Sequence, residues 1–192
     1  GNRLILEDGP HRLVGPGESV NIVDPSLRVE GTLTERDLVY LAAMKEVGLR
    51  RVMLSYVEQP SDVEEVRALL PDAEVILKIE SRRGLAYVHA HKATQGRLMA
   101  ARGDLYVEVA RPHRIVGALR DIVTADPYAI VASRIFDSLA HHPVPESADI
   151  GDVAFLLSLG YRTFMLGDVT CFHRDTVLEA LNLLEAVTGQ FP

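Results

Sequence analysis

The sequence is poor in several things, and each shortage removes a class of answer. It has a single cysteine, Cys171, so no intramolecular disulfide can form; this suits a reducing, cytoplasmic compartment, which is the expected location. It has no basic run and a formal net charge of −7, the wrong sign for a surface that meets a phosphate backbone, so no nucleic-acid partner is expected. No apolar run approaches the about 20 residues of a membrane span, so no membrane partner is expected. The first residues lack a basic start followed by an apolar core, and no secretory signal is expected. The chain starts at Gly1 rather than Met, as a recombinant product or a processed piece would. No segment is low in complexity and no internal repeat stands out.

The chain is also short. Its 192 residues, 47% hydrophobic, suffice for one domain with a buried core. A complete eight-stranded βα barrel needs about 250 residues.

What is present is alternation. Apolar runs at about 51–57, 74–80, 97–102, 128–133 and 162–167 read as strands, separated by helical patterns at about 61–70, 84–92, 112–123, 148–158 and 174–187. Runs such as Val75-Ile76-Leu77 and Ala129-Ile130-Val131 are continuously apolar, as a parallel sheet covered on both faces requires. Before the first strand, Thr34 reads as a helix N-cap with Asp37 three residues on, and Gly48 as the stop. Residues 1–24 hold short apolar runs broken by Asp8-Gly9-Pro10 and Gly15-Pro16-Gly17, a β segment distinct from the α/β unit at 25–192. Gly15-Pro16-Gly17-Glu18 lacks the Lys and the helix of a phosphate loop and reads as a turn.

Two strand ends carry charge. Lys78 and Glu80 are two apart and point to the same side of one strand, and Asp104 closes the next. Charge at the end of a buried parallel strand is how a barrel delivers chemistry at its mouth. Glu80 and Asp104 either converge and take up a hard divalent cation, Mg²⁺ or Mn²⁺, or each caps a helix or pairs with an arginine. Lys78 in an apolar strand needs a partner, and Glu80 is the simplest one. Gly103 and Asp104 offer backbone N–H groups to an anion. His89 and His91 are two apart on a predicted helix and share no face, and His141-His142 lies in a loop, so the histidines form no ligand set.

The stretches Lys78-Ile79-Glu80-Ser81-Arg82-Arg83-Gly84 and Ala100-Ala101-Arg102-Gly103-Asp104-Leu105-Tyr106-Val107-Glu108-Val109 resemble the metal-bearing motifs of pyruvate kinases. The likeness continues in order. Leu33-Thr34-Glu35-Arg36-Asp37, Leu54-Ser55-Tyr56-Val57, Ala132-Ser133-Arg134-Ile135-Phe136-Asp137-Ser138-Leu139 and Met165-Leu166-Gly167-Asp168 match successive segments of that family over about residues 20 to 187. The resemblance implies a partial TIM-type barrel of the phosphoenolpyruvate-binding kind, with 1–24 as the end of a lid domain. It implies Glu80 and Asp104 as metal ligands and Lys78 facing a transferred phosphoryl group and an enolate oxygen. It implies Gly103, Asp104 and Ser133 about the substrate carboxylate, with Ser133, in place of the family's Thr, holding either that carboxylate or an exchangeable proton. Arg134 replaces the family's Gln and either binds a second anionic group or closes the pocket. Ser55 matches a mouth position or is simply a small strand-end residue.

The family's first strands, with a phosphoryl-gripping Arg and an Asn-Phe-Ser-His-Gly motif, are not in the sequence. The metal and enolate half of the site is therefore expected without the nucleotide half. Three functions follow from the resemblance: phosphoryl transfer completed by a partner, a metal-dependent oxoacid lyase or decarboxylase, or a non-catalytic ligand sensor or assembly subunit. A partial barrel leaves a sheet edge open, so either a second copy or a complementary chain carrying the missing strands is expected to cover it.

Overall fold

The structure is a computed structural model that describes residues 15, 20, 22, 31–91 and 95–191. The expected β segment at 1–24 lies outside the described residues, those three positions aside. The described residues form one parallel sheet of five strands in the order β1-β2-β3-β4-β5, so every strand lies beside its sequence neighbour. The strands are β1 (Arg51–Leu54), β2 (Glu74–Ile79), β3 (Arg97–Ala101), β4 (Ile130–Ala132) and β5 (Thr163–Met165). Ahead of them runs α1 (Glu35–Glu46). The connections carry α2 (Pro60–Leu69), α3 (Arg82–Ala90), α4 (Arg102–Glu108), α5 (Ile115–Ala125) and α6 (Ser147–Leu159), and α7 (Asp168–Cys171) and α8 (Arg174–Thr188) follow the last strand. This is an α/β fold, a five-strand arc of a (β/α) barrel, as the alternation requires.

Local chemistry explains the ends. Thr34 accepts from the Asp37 amide at 3.3 Å and the Asp37 carboxylate accepts from the Thr34 amide at 2.8 Å, a full capping box that starts α1. Gly48, at φ 75°, turns the chain just past the end of that helix. Asp62, 3% exposed, receives the Glu58 and Gln59 amides and the Thr32 hydroxyl, and so ties the start of α2 to the segment before α1. At Gly96 a Cβ would lie 2.2 Å from the Val75 carbonyl, so only glycine lets the chain enter β3 so close to β2.

The strands' two faces divide by alternation. Val75, Leu77, Ile79, Leu98, Ala100 and Val131 pack into the main core beneath the helices, where Tyr161 is fully buried and donates its hydroxyl to the Leu119 carbonyl at 2.8 Å. Met99, Ile130 and Ala132, with Ile76 and Met165, make a second, smaller cluster on the other face. Beside that cluster the edge strand β1 leaves Met53 55% exposed. No helix among the described residues is long and apolar enough to cross a membrane.

Three expectations need correction. Asp104 does not close a strand: β3 ends at Ala101, and Asp104 is the third residue of α4, a helix the alternation did not announce. The last strand, expected to run to about residue 167, stops at Met165, and Asp168 opens a short helix. The first strand ends at Leu54, and Tyr56 turns away with φ 51°.

Candidate active site

Parallel pairing puts the C-terminal ends of all five strands on one side, and the residues singled out in the sequence follow those ends. Lys78, the fifth residue of β2, and Glu80, just past its end, point to the same side, as the two-residue spacing dictates. Their charges meet: Lys78 Nζ lies 2.9 Å from Glu80 Oε1 and donates to Ser55 Oγ at 3.0 Å. Glu80 is 2% exposed, and its other oxygen accepts the Tyr56 N–H at 2.8 Å.

Electrostatics sets the state of this group. Burial raises the Glu80 pKa; the hydrogen bonds from Lys78 and Tyr56 oppose that, and the charge of Asp104 adds to the rise. Asp104 therefore stands close enough to be felt by Glu80. It is also hydrogen-bonded to the Tyr56 hydroxyl, whose pKa is pushed up to about 12 by burial and by the fields of Asp104, Glu80 and Glu108. Tyr56 thus touches both carboxylates, one with its backbone and one with its side chain.

Gly103 sits in the first turn of α4, where the N-cap residue Ala101 supplies no side-chain hydrogen bond. A Cβ on Gly103 would lie 3.5 Å from Ser133 Oγ, so the glycine and the Ser133 hydroxyl are neighbours. Arg134 goes elsewhere. Its guanidinium lies 6.0 Å from the centre of the Tyr106 ring, and it lines a cavity of about 610 Å³ with Arg102, Asp137, His141 and Asp152. Ser55 and Tyr56 instead line a cleft of about 840 Å³ with Glu58, Ser81, Arg83 and Glu108. At its rim the Ser81 hydroxyl donates to Glu58 at 2.5 Å and Arg83 lies 3.5 Å from the same carboxylate.

Carboxylate oxygens are the donors a hard divalent cation takes, and the mutual field of Glu80 and Asp104 is the repulsion such a cation relieves. Among the described residues no group of three or more His, Cys, Asp and Glu side chains gathers, so water would fill most positions of any ion held here. The donor set fits Mg²⁺ or Mn²⁺ in kind. The histidines stay apart: His89 lies 3.0 Å from Asp121, and His91 stacks on Tyr87 with ring centres 4.8 Å apart.

Sequence reasoning gave no role to Arg102 or Asp152. The Arg102 Nη1 group lies 2.7 and 2.8 Å from the two Asp152 oxygens, and the rest of the guanidinium donates to the carbonyls of Ala132 and Ser133. The signal was available: an arginine ending a buried strand needs a partner as much as Lys78 does.

A parallel βα arc with a lysine and carboxylates gathered at its strand ends defines a barrel-type α/β protein with a polar mouth. The sequence profile of the pyruvate kinase barrel domain matches residues 11–171, and the chain belongs to the pyruvate kinase family. A pyruvate kinase of Methanocaldococcus jannaschii is 29% identical over 178 residues, covering 89% of this chain and 39% of the relative. One from Agrobacterium vitis is 34% identical over 173 residues, covering 88% and 36%, and one from Bacillus licheniformis is 31% identical over 161 residues, covering 80% and 27%. The chain thus spans well under half the length of these relatives.

Proposed function

We propose that this chain binds a divalent cation, Mg²⁺ or Mn²⁺, together with an oxoacid of the pyruvate or phosphoenolpyruvate type, and that phosphoryl transfer occurs only when a complementary chain supplies the missing strands. The observation that carries this reading is the buried Glu80 held against Lys78 at 2.9 Å with the Asp104 charge beside it, in a chain of this family. Glu80 and Asp104 would hold the cation, which when bound supplies positive charge next to the oxoacid oxygens. Lys78 presents an ammonium where negative charge develops. The Ser133 hydroxyl and the Gly103 backbone orient the substrate carboxylate, and Ser55 holds Lys78 in place through its hydroxyl. Arg134, over Tyr106 in the neighbouring cavity, offers a further cation for an anionic group there. A cytoplasmic location and assembly into an oligomer belong to the same reading.

A second reading has its own observation: both Glu80 oxygens already have partners, as a site that no longer takes a metal would show. In that case the chain is a non-catalytic sensor or assembly subunit. Calorimetry with Mn²⁺ and oxalate, whose adjacent oxygens chelate a metal as an oxoacid does, separates the two. Heat that disappears in Glu80→Ala and Asp104→Ala supports the metal site. No heat in the wild type, at concentrations well above a roughly millimolar Kd, would end it.

A further inference from the structure

Beyond the mouth residues, the loop after β4 has an unusual backbone. Ser133, Arg134 and Phe136 have φ of 73°, 56° and 51°, the left-handed region that residues with a Cβ rarely adopt. Such conformations persist only where the surroundings impose them. The means of imposing them is visible. Arg102, whose side chain is 11% exposed, aims its guanidinium at the carbonyls of Ala132 and Ser133, the residues where the backbone changes hand. Asp152, on α6, grips the same guanidinium from the other side. Phe136, fully buried, and Ile135, 1% exposed, anchor the far end of the loop in the core.

We infer that Arg102 is a positioning residue which, with Asp152, holds the Ser133–Phe136 loop in its left-handed course and so fixes the Ser133 hydroxyl beside Gly103 at the mouth. A lysine keeps the charge but has no planar fork to engage two carbonyls and a carboxylate at once, so charge alone does not replace it. The consequence for ligand binding rests on the oxoacid reading above; the brace itself does not.

The two are tested separately. Limited trypsin digestion, mapped by mass spectrometry, reads the loop directly, because Arg134 is a cleavage site that the left-handed backbone keeps from extending into a protease. Arg102→Lys and Asp152→Asn should each speed cleavage after Arg134 roughly tenfold relative to cleavage after Arg120 on α5, the loss of a charge-assisted hydrogen bond. The double variant should be no faster than the faster single one, since the two residues act as one unit. Unchanged cleavage in both single variants, or fully additive effects, would overturn the inference. If Arg102→Lys does not fold, Asp152→Asn carries the test. In calorimetry, Arg102→Lys should weaken oxalate binding to the Mn²⁺-loaded chain about tenfold and leave Mn²⁺ affinity itself unchanged. Metal and oxalate affinities falling together would make Arg102 a general support and not a positioning residue for Ser133. A wild type that binds no oxalate ends the oxoacid reading, and the digestion alone then decides the brace.

Discussion

Tyr56 donates its backbone N–H to the buried carboxylate of Glu80 at 2.8 Å from a left-handed backbone with φ 51°. An aromatic residue in that region is strained, and the strain is held where the site's two acids meet. The same residue's hydroxyl is bonded to Asp104, so what happens to its proton reports on the whole mouth.

The phenol's pKa is raised from 10.0 to about 12. A group with a raised folded pKa contributes stability that is fully present below its unfolded pKa and lost as pH climbs through the folded one. Wild-type stability should therefore fall between pH 10 and about 12 more steeply than that of Tyr56→Phe, which has no proton to lose there. Urea midpoints for the two proteins across that window are the measurement, and parallel curves would contradict it.

Lys78→Ala removes the cation that compensates Glu80 and leaves a 2%-exposed carboxylate with only the Tyr56 amide. The loss should be about 2 kcal/mol near neutral pH. The Glu80 pKa is already raised by burial, so lowering the pH protonates the stranded carboxyl and the deficit shrinks. Denaturation near neutrality and about two pH units lower checks both the size and the sign. A deficit that grows on acidification would mean Glu80 is not the group responsible.

Two glycines should respond in opposite directions. Gly96→Ala puts a methyl group 2.2 Å from the Val75 carbonyl, and the backbone of β2 and β3 must part to admit it, at about 3 kcal/mol. Gly151→Ala, inside α6 with nothing within 4 Å of the added Cβ, should instead stabilise by about 0.7 kcal/mol through helix propensity. Thermal unfolding of the two variants side by side tests the close approach of β2 and β3 against a neutral helical site.

Among the described residues the outer strands β1 and β5 are each paired on one side only, and Met53 is 55% exposed beside the second apolar cluster. Unpaired edges and an exposed apolar face favour association, so the chain should run larger than a monomer in a sizing experiment. Met53→Glu should shift it toward the monomer. A stable, folded monomer at high dilution in the unaltered chain would count against any covering partner.

Much of this was legible beforehand because the signals were local. The capping box of Thr34 and Asp37, the stop at Gly48, and the apolar runs of β2 through β4 rest on spacings of a few residues, and the elements lie where those spacings put them. The pairing of Lys78 with Glu80 followed from the two-residue period of a strand. Helix α4 was hidden because Arg102-Gly103-Asp104 offers no capping side chain and places glycine in the first turn, so sequence alone favours a turn there. Nor could periodicity reveal that Arg102 would find Asp152 fifty residues away, or that Tyr56 would turn left-handed, since both depend on contacts across elements.

The order of the sheet has a consequence for how the chain is made. Since each strand pairs with the one synthesised just before it, every βα unit can dock as it leaves the ribosome, without waiting for distant segments. The same order means that a cut ahead of β1 severs none of the hydrogen bonds joining these five strands. The ladder that sets β2, β3 and β4 around the mouth is thus made wholly between neighbouring units.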